Sequence, residues 1–293
     1  MRIRIAHSSV YRYDPPATGV IQVLRLTPRN HEGQYLMNWR IDVTPDARLA
    51  THEDAFGNIS HVFTADGPLS DLRVEVEGQV ETQNTDGIVR GTVERFPPSL
   101  FLRDTALTQA DPAIRAFAET IRAASGGVVL AELHGILDRL HEEIGQHKPD
   151  ATNPGTMTQT QGGQRQAQSA ANDVPPAATT GAAAAFARKH GAAKDLTHIF
   201  IAAAHALGIP ARFVGGYFRR AEEAVVENTG HAWAEGFVPG LGWVGFDPSF
   251  GFCPTDAHVR VAIGLDALGA APLRGTRFGV GAETVEVAIK VDQ

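Results

Sequence analysis

From Leu72 to Val80 apolar and polar residues alternate. Leu72, Val74, Val76 and Val80 interleave with Arg73, Glu75, Glu77 and Gln79. A period of two marks a strand with one buried face. Shorter β-rich runs lie at Arg2–Ala6, Val20–Leu26, Tyr35–Val43 and Ile59–Thr64, so the first hundred residues read as β. Asp54-Ala55-Phe56-Gly57-Asn58 separates two of these runs and predicts a hairpin loop. Strands this close in sequence, with no helix between them, predict an antiparallel, sandwich-like domain. Phe96-Pro97-Pro98 breaks the pattern. The division expected is a β-rich domain over 1–98 and a second domain over 99–293.

The period then changes. Asp111-Pro112 is a helix N-cap followed by proline at the first helical position. Ile114, Phe117 and Ile121 follow at helical spacing, and Gly126-Gly127 ends the segment. A second helix places Leu133, Ile136, Leu137, Leu140 and Ile144 on one face. From Pro149 to about Thr180 the chain turns to Thr, Gln, Ala, Pro and Gly, which predicts a flexible insertion at about 150–180. Leu196, Ile199, Phe200, Ala203 and Leu207 restore the helical period, and Gly208-Ile209-Pro210 stops it. Strands are expected at Ala211–Phe218, His231–Val238, Gly242–Asp247 and Glu283–Val291, with a turn at Pro239-Gly240-Leu241-Gly242. The fold class is therefore α+β.

Composition narrows the function. A net charge of -7 argues against nucleic-acid binding, which needs clustered Lys and Arg. No apolar run reaches the roughly 18 residues of a membrane span. The N-terminal alternation of charged and apolar residues reads as a strand rather than a signal peptide. The single cysteine, Cys253, excludes an internal disulfide framework and a Cys-rich zinc site. A reducing, cytoplasmic compartment is the default expectation. The twelve histidines are scattered, so no metal is expected, and Gly279-Val280-Gly281 lacks the third glycine of a dinucleotide cofactor site. His141-Glu142-Glu143-Ile144-Gly145 lacks the second histidine of a zincin helix, and there is no Gly-x-Ser-x-Gly elbow or P-loop.

Chemistry concentrates between Gly191 and Arg260. Gly191-Ala192-Ala193-Lys194-Asp195 opens a helix, and Gly208-Ile209-Pro210-Ala211-Arg212-Phe213-Val214-Gly215-Gly216-Tyr217 follows it. Next come His231-Ala232-Trp233-Ala234-Glu235 and Gly242-Trp243-Val244-Gly245-Phe246-Asp247-Pro248. This order resembles the transglutaminase-like superfamily, papain-like enzymes with a Cys-His-Asp triad. The β-rich first domain and the stretch His258–Gly264 resemble its bacterial members. The resemblance implies a papain-like core with His231 as the triad histidine and Asp247 as its carboxylate. Residues 231 and 247 lie about equally far from the turn, so the hairpin makes them cross-strand neighbours. A carboxylate on one imidazole nitrogen fixes the tautomer and leaves the other nitrogen facing the nucleophile.

The family motif reads Gly-x-Cys-x-Asp, whereas this chain has Ala193 at the cysteine position. A methyl group cannot attack a carbonyl, so covalent thiol catalysis is closed to the chain as written. Two accounts of Ala193 stand side by side: a deliberate Cys-to-Ala change, or a natural loss. The parent chemistry implied is acyl transfer through a thioester, with peptide or isopeptide hydrolysis preferred to cross-linking. The alternative is a natural pseudoenzyme that binds a peptide or protein, with the 150–180 insertion as a partner-recognition segment. Asp195 is expected to serve the helix start and His198 to pack helix on sheet. Cys253 reads as a structural thiol, because it has neither a helix start nor an adjacent base. Trp233, Trp243 and Phe246 read as core residues before groove residues.

Overall fold

The computed structural model describes residues 1–146, 180–220 and 226–293. The insertion expected at about 150–180 falls, Thr180 apart, outside them. Four strands come first: β1 (Arg2–Thr27), β2 (Gln34–Thr44), β3 (Ala50–Glu53) and β4 (Ile59–Thr82). β5 (Ile88–Val89) and a 3-10 turn (Pro98–Leu102) lead to α1 (Pro112–Ser125) and α2 (Val129–Glu143). β6 (Gly145–Gln146), α3 (Ala182–Arg188) and β7 (His190–Gly191) precede α4 (Ala193–Ala206). The chain continues through β8 (Ala211–Phe218), β9 (His231–Val238), β10 (Gly242–Phe246) and β11 (His258–Gly264). It closes with β12 (Leu273–Phe278) and β13 (Ala282–Asp292).

β1 and β4 pair antiparallel from Arg2 opposite Glu81 to Thr27 opposite Ile59, with register shifts near Ala17. The runs that read as separate short strands are thus parts of two long ones. β2 pairs with one half of β4 and β3 with the other. Tyr11, Leu72, Val74 and Val76 from one half share a hydrophobic cluster with Val20, Leu24 and Phe63 from the other. The halves therefore face each other, and strands passing through both build the sandwich-like layer. Its membership differs from the 1–98 division: β13 pairs with β1 over Arg4–Asp14 and β12 over Gly19–Leu24. The last two strands, placed by the sequence with the second domain, hydrogen-bond into the first sheet. Sequence alternation shows that a strand exists but not which edge it finds.

The second layer is built around α4, which packs on β8 and β9 and against α1, α2 and α3. Covered on all sides, its residues Asp195 to Ala204 are buried, so a stripe of apolar positions widens to nearly the whole helix. α1 begins as the sequence predicts: Asp111 Oδ1 accepts the Ile114 N–H at 2.8 Å, and Gly126 closes the helix in the left-handed region at φ 63°. The sheet beside these helices runs β11-β8-β9-β10-β5.

Polar contacts join the layers. Asn58 behaves as a strand edge, donating Nδ2–H to the Ile263 carbonyl and accepting the Ile263 N–H, both at 2.8 Å. His7 Nδ1 meets the Tyr217 hydroxyl at 3.0 Å. Under the sheet, Glu235 accepts from Arg212 Nε at 2.7 Å and from Arg260 Nε and a terminal nitrogen at 2.7 and 3.1 Å. Arg212 also donates twice to Glu94, at 2.7 and 3.0 Å, and stacks 3.9 Å from the Trp243 ring.

Candidate active site

Topology brings the site together. β8 pairs antiparallel with β9, so Ala211 lies opposite Gly236 and Gly216 opposite His231. α4 ends beside the start of β8, because only Leu207–Pro210 separates them. The helix start and the far end of β8 therefore lie at the same end of the layer. Midway along, the Phe200 ring stacks on Phe246 at 5.2 Å, and Phe246 pairs with Ala234. Going back from Phe200 to Ala193 covers about 10 Å of helix. Going back from Ala234 to His231 covers about 10 Å of strand. Both paths reach the same end of the layer, and Asp247, one residue beyond Phe246, lies on the way there.

His231 Nε2–H donates to Asp247 Oδ2 at 2.5 Å. Asp247 is fully buried, while the His231 side chain keeps 8% of its exposure. With Nε2 bound to the carboxylate, Nδ1 carries the lone pair of the neutral ring. No hydrogen bond to Nδ1 occurs among the described residues. Phe218 and Phe250 flank the ring, each at 5.4 Å. Asp247 is held by a tight turn: its carbonyl accepts the N–H groups of Phe250 and Gly251, and its N–H donates to the Phe252 carbonyl. Its Oδ1 accepts the Ser249 N–H at 3.0 Å. Burial works against ionising Asp247, but the charge and hydrogen bond of His231 and the hydrogen bond of His258 outweigh it. The carboxyl is held well below its usual range.

Ala193 is the first residue of α4, and its N–H is among the first-turn donors that a helix leaves without an intrahelical acceptor. Those donors and the helix dipole favour negative charge at this point. Asp195 Oδ2 accepts the Ala192 N–H at 3.0 Å, which is the helix-start role expected of it. Gly191 has to be glycine here, since a Cβ would meet Asp195 Cβ at 2.8 Å. Burial lowers the Lys194 ammonium, opposed by Asp195.

Residues 3–81 match the family model of the bacterial transglutaminase-like N-terminal region, and residues 155–248 that of the transglutaminase-like superfamily. The two segments together span more than half of the chain, and their described residues fall on the two layers. The chain belongs to the transglutaminase-like superfamily. An uncharacterized protein of Mycobacterium leprae (strain TN) is 26% identical over 298 residues, covering 99% of this chain and 98% of that one. The crystal structure of a candidate cysteine protease from Cytophaga hutchinsonii superposes with a TM-score of 0.68 at 17% identity, covering 100% of this chain and 98% of that one. At that identity the likeness is one of fold.

In this transglutaminase-like core the remaining sequence candidates take structural places. His198 is fully buried, accepts the Ala267 N–H at 3.1 Å and packs on Phe213. Burial pushes its imidazole down to about 4. Trp233, Trp243 and Phe246 are all buried, and Trp233 also lines a small pocket together with His258. Cys253 lies beside Gly87, and burial, with Asp138 and Asp86 nearby, pushes its thiol up to about 11. Such a thiol is a poor nucleophile.

Sequence reasoning missed His258 as a site residue. Its Nε2 lies 3.1 Å from Asp247 Oδ2, the oxygen that His231 also uses. His258 opens β11, beyond the superfamily match that ends at residue 248. The alternation of Val259, Val261 and Ile263 announces that strand, but nothing in it announces the carboxylate. The ligating atoms of His231, Asp247 and His258 lie within 4.8 Å of one another. In the structure the two imidazoles are hydrogen-bonded to the carboxylate between them.

Proposed function

We propose that this chain is an acyl-transfer scaffold of the peptide or isopeptide hydrolase kind whose nucleophile position is filled by Ala193. One observation carries the reading: His231 commits Nε2 to a buried carboxylate and keeps Nδ1 unbonded, at the end of the layer where α4 begins. That is the arrangement a thiol at position 193 needs. The imidazole accepts the thiol proton, the thiolate attacks the amide carbonyl, and the protonated ring then donates to the leaving amine. Water releases the acyl group from the thioester. In this reading the N–H of residue 193 donates to the oxyanion. With a methyl group in place of the thiol, the same surface holds a peptide or protein without cleaving it. The binding-module reading rests on that one residue.

The test restores sulfur. Ala193→Cys is made in a Cys253→Ala background, and iodoacetamide alkylation is followed against pH, with His231→Ala as control. The expected midpoint lies well below the roughly 8.5 of a free thiol and returns towards it in the His231 variant. A midpoint near 8.5 that ignores His231 removes the catalytic reading and leaves the binding one. Peptide and isopeptide amides are then offered to the thiol variant, and the unaltered chain is tested for binding the same peptides.

A further inference from the structure

We propose that His258 is a positioning residue of the site: a neutral imidazole that shares the Asp247 carboxylate with His231. The inference rests on the reading of His231 and Asp247 given above. The hydrogen bonds of His258 define its protonation. Its Nδ1 accepts the Thr255 N–H at 3.1 Å, so Nδ1 carries a lone pair and no proton. The ring's single proton is then on Nε2, which faces Asp247 Oδ2 at 3.1 Å. Burial disfavours the charged ring, and its side chain is 2% exposed. Phe218 at 4.6 Å, Trp233 at 5.3 Å and Phe252 at 6.0 Å hold it from the sides. Asp247 and the His231 ring, 5.9 Å away, face it directly, and His31, Glu235 and Arg260 line the same pocket.

The consequence falls on the other histidine. A buried carboxylate with a single imidazole partner puts its full charge behind that one hydrogen bond. Here Oδ2 has two N–H donors and Oδ1 a third from Ser249. Dividing the charge weakens the hold of Asp247 on the His231 proton while keeping the carboxylate ionised and fixed in orientation. His258 touches no substrate in this account; it acts through Asp247 on His231.

Nitrogen-15 and proton NMR of the unaltered chain tests this directly and needs no thiol. Failure here is thus distinct from failure of the alkylation experiment. In the unaltered chain His258 is expected as the neutral Nε2–H tautomer throughout pH 7 to 9. A protonated Nδ1, or titration of His258 within that range, overturns the proposal. In His258→Phe the His231 Nε2–H resonance is expected to move downfield, because its hydrogen bond to Asp247 strengthens. In His258→Gln, whose amide can donate to Asp247 and accept from Thr255, it is expected to return to its original position. An unmoved or upfield resonance in the Phe variant, or a Gln variant that behaves like Phe, also overturns it. If the Phe variant does not fold, the tautomer in the unaltered chain decides alone.

Discussion

Replacing Glu235 by Gln tests the buried ion network beneath the site sheet. Glu235 is fully buried and accepts three hydrogen bonds from two guanidinium groups. Burial opposes its ionisation, but Arg260 and Arg212 outweigh it and hold the carboxyl at about 2, against an ordinary 4.5. A depression of about 2.5 pH units, at about 1.4 kcal/mol per unit, corresponds to about 3.5 kcal/mol of stability. Removing one partner of a buried pair costs about 3–5 kcal/mol by a separate route. Gln keeps one acceptor oxygen and nearly the same volume, so the expected loss is about 3 kcal/mol at pH 7. The sign fixes the pH window. Because the folded carboxyl titrates below the unfolded one, its contribution is complete above pH 4.5 and vanishes as pH falls towards 2. Urea unfolding of both chains at several pH values is the assay. The stability gap should be about 3 kcal/mol at pH 7 and should close between pH 4.5 and 2. A gap below about 1 kcal/mol at pH 7, or one that does not change with pH, refutes the reasoning.

Asn58→Ala strips the Ile263 N–H and carbonyl of their partners, both buried at the contact between layers. Urea unfolding should show a loss of about 2–4 kcal/mol, and Asn58→Asp should lose at least as much, because its carboxylate would face the Ile263 carbonyl and the Asp54 carboxylate that Asn58 Nδ2 bonds at 2.9 Å. His7 is held at about 4 by burial, with Tyr217 and Ser9 as its partners. Unfolding lets it take up a proton near 6.5, so its contribution is full above pH 6.5 and is lost as pH falls towards 4. The urea midpoint should therefore drop across that range, and His7→Gln should flatten the drop.

Local chemistry was legible and distant partnership was not. Asp111-Pro112 and Gly126 mark the ends of α1 because caps are decided within four residues. The strands at 211–218 and 231–238 were readable from their own residues and the stops beside them. His231 and Asp247 were expected opposite each other; the hairpin does bring them together, but its register sets Phe246 opposite Ala234, so Asp247 lies two residues short of that position and meets His231 diagonally. His258 reaches the same carboxylate from a strand on the far side of β8, and its register with β8 slips at Arg260/Ala262. No spacing rule carries that arrangement. Glu94 finds Arg212 across 118 residues for the same reason. The strand expected at Glu283–Val291 was assigned to the second domain because alternation gives a strand a buried face without naming a neighbour, and Leu273–Phe278 was not expected as a strand. Gly275 shows how particular that neighbour is, since a Cβ there would meet Gln22 at 2.3 Å.

The pairing of β1 with β12 and β13 sets an order on synthesis. A ribosome releases β1 first, and the strands that cover its second edge emerge only after the whole core has been translated. Until then β1 presents a long row of unpaired amides and carbonyls, a template that other strands can capture. Pairing between such distant segments is also slow to form. The first sheet is begun earliest and finished last, so a nascent chain stalled before residue 273 keeps that edge open however well its helices have packed.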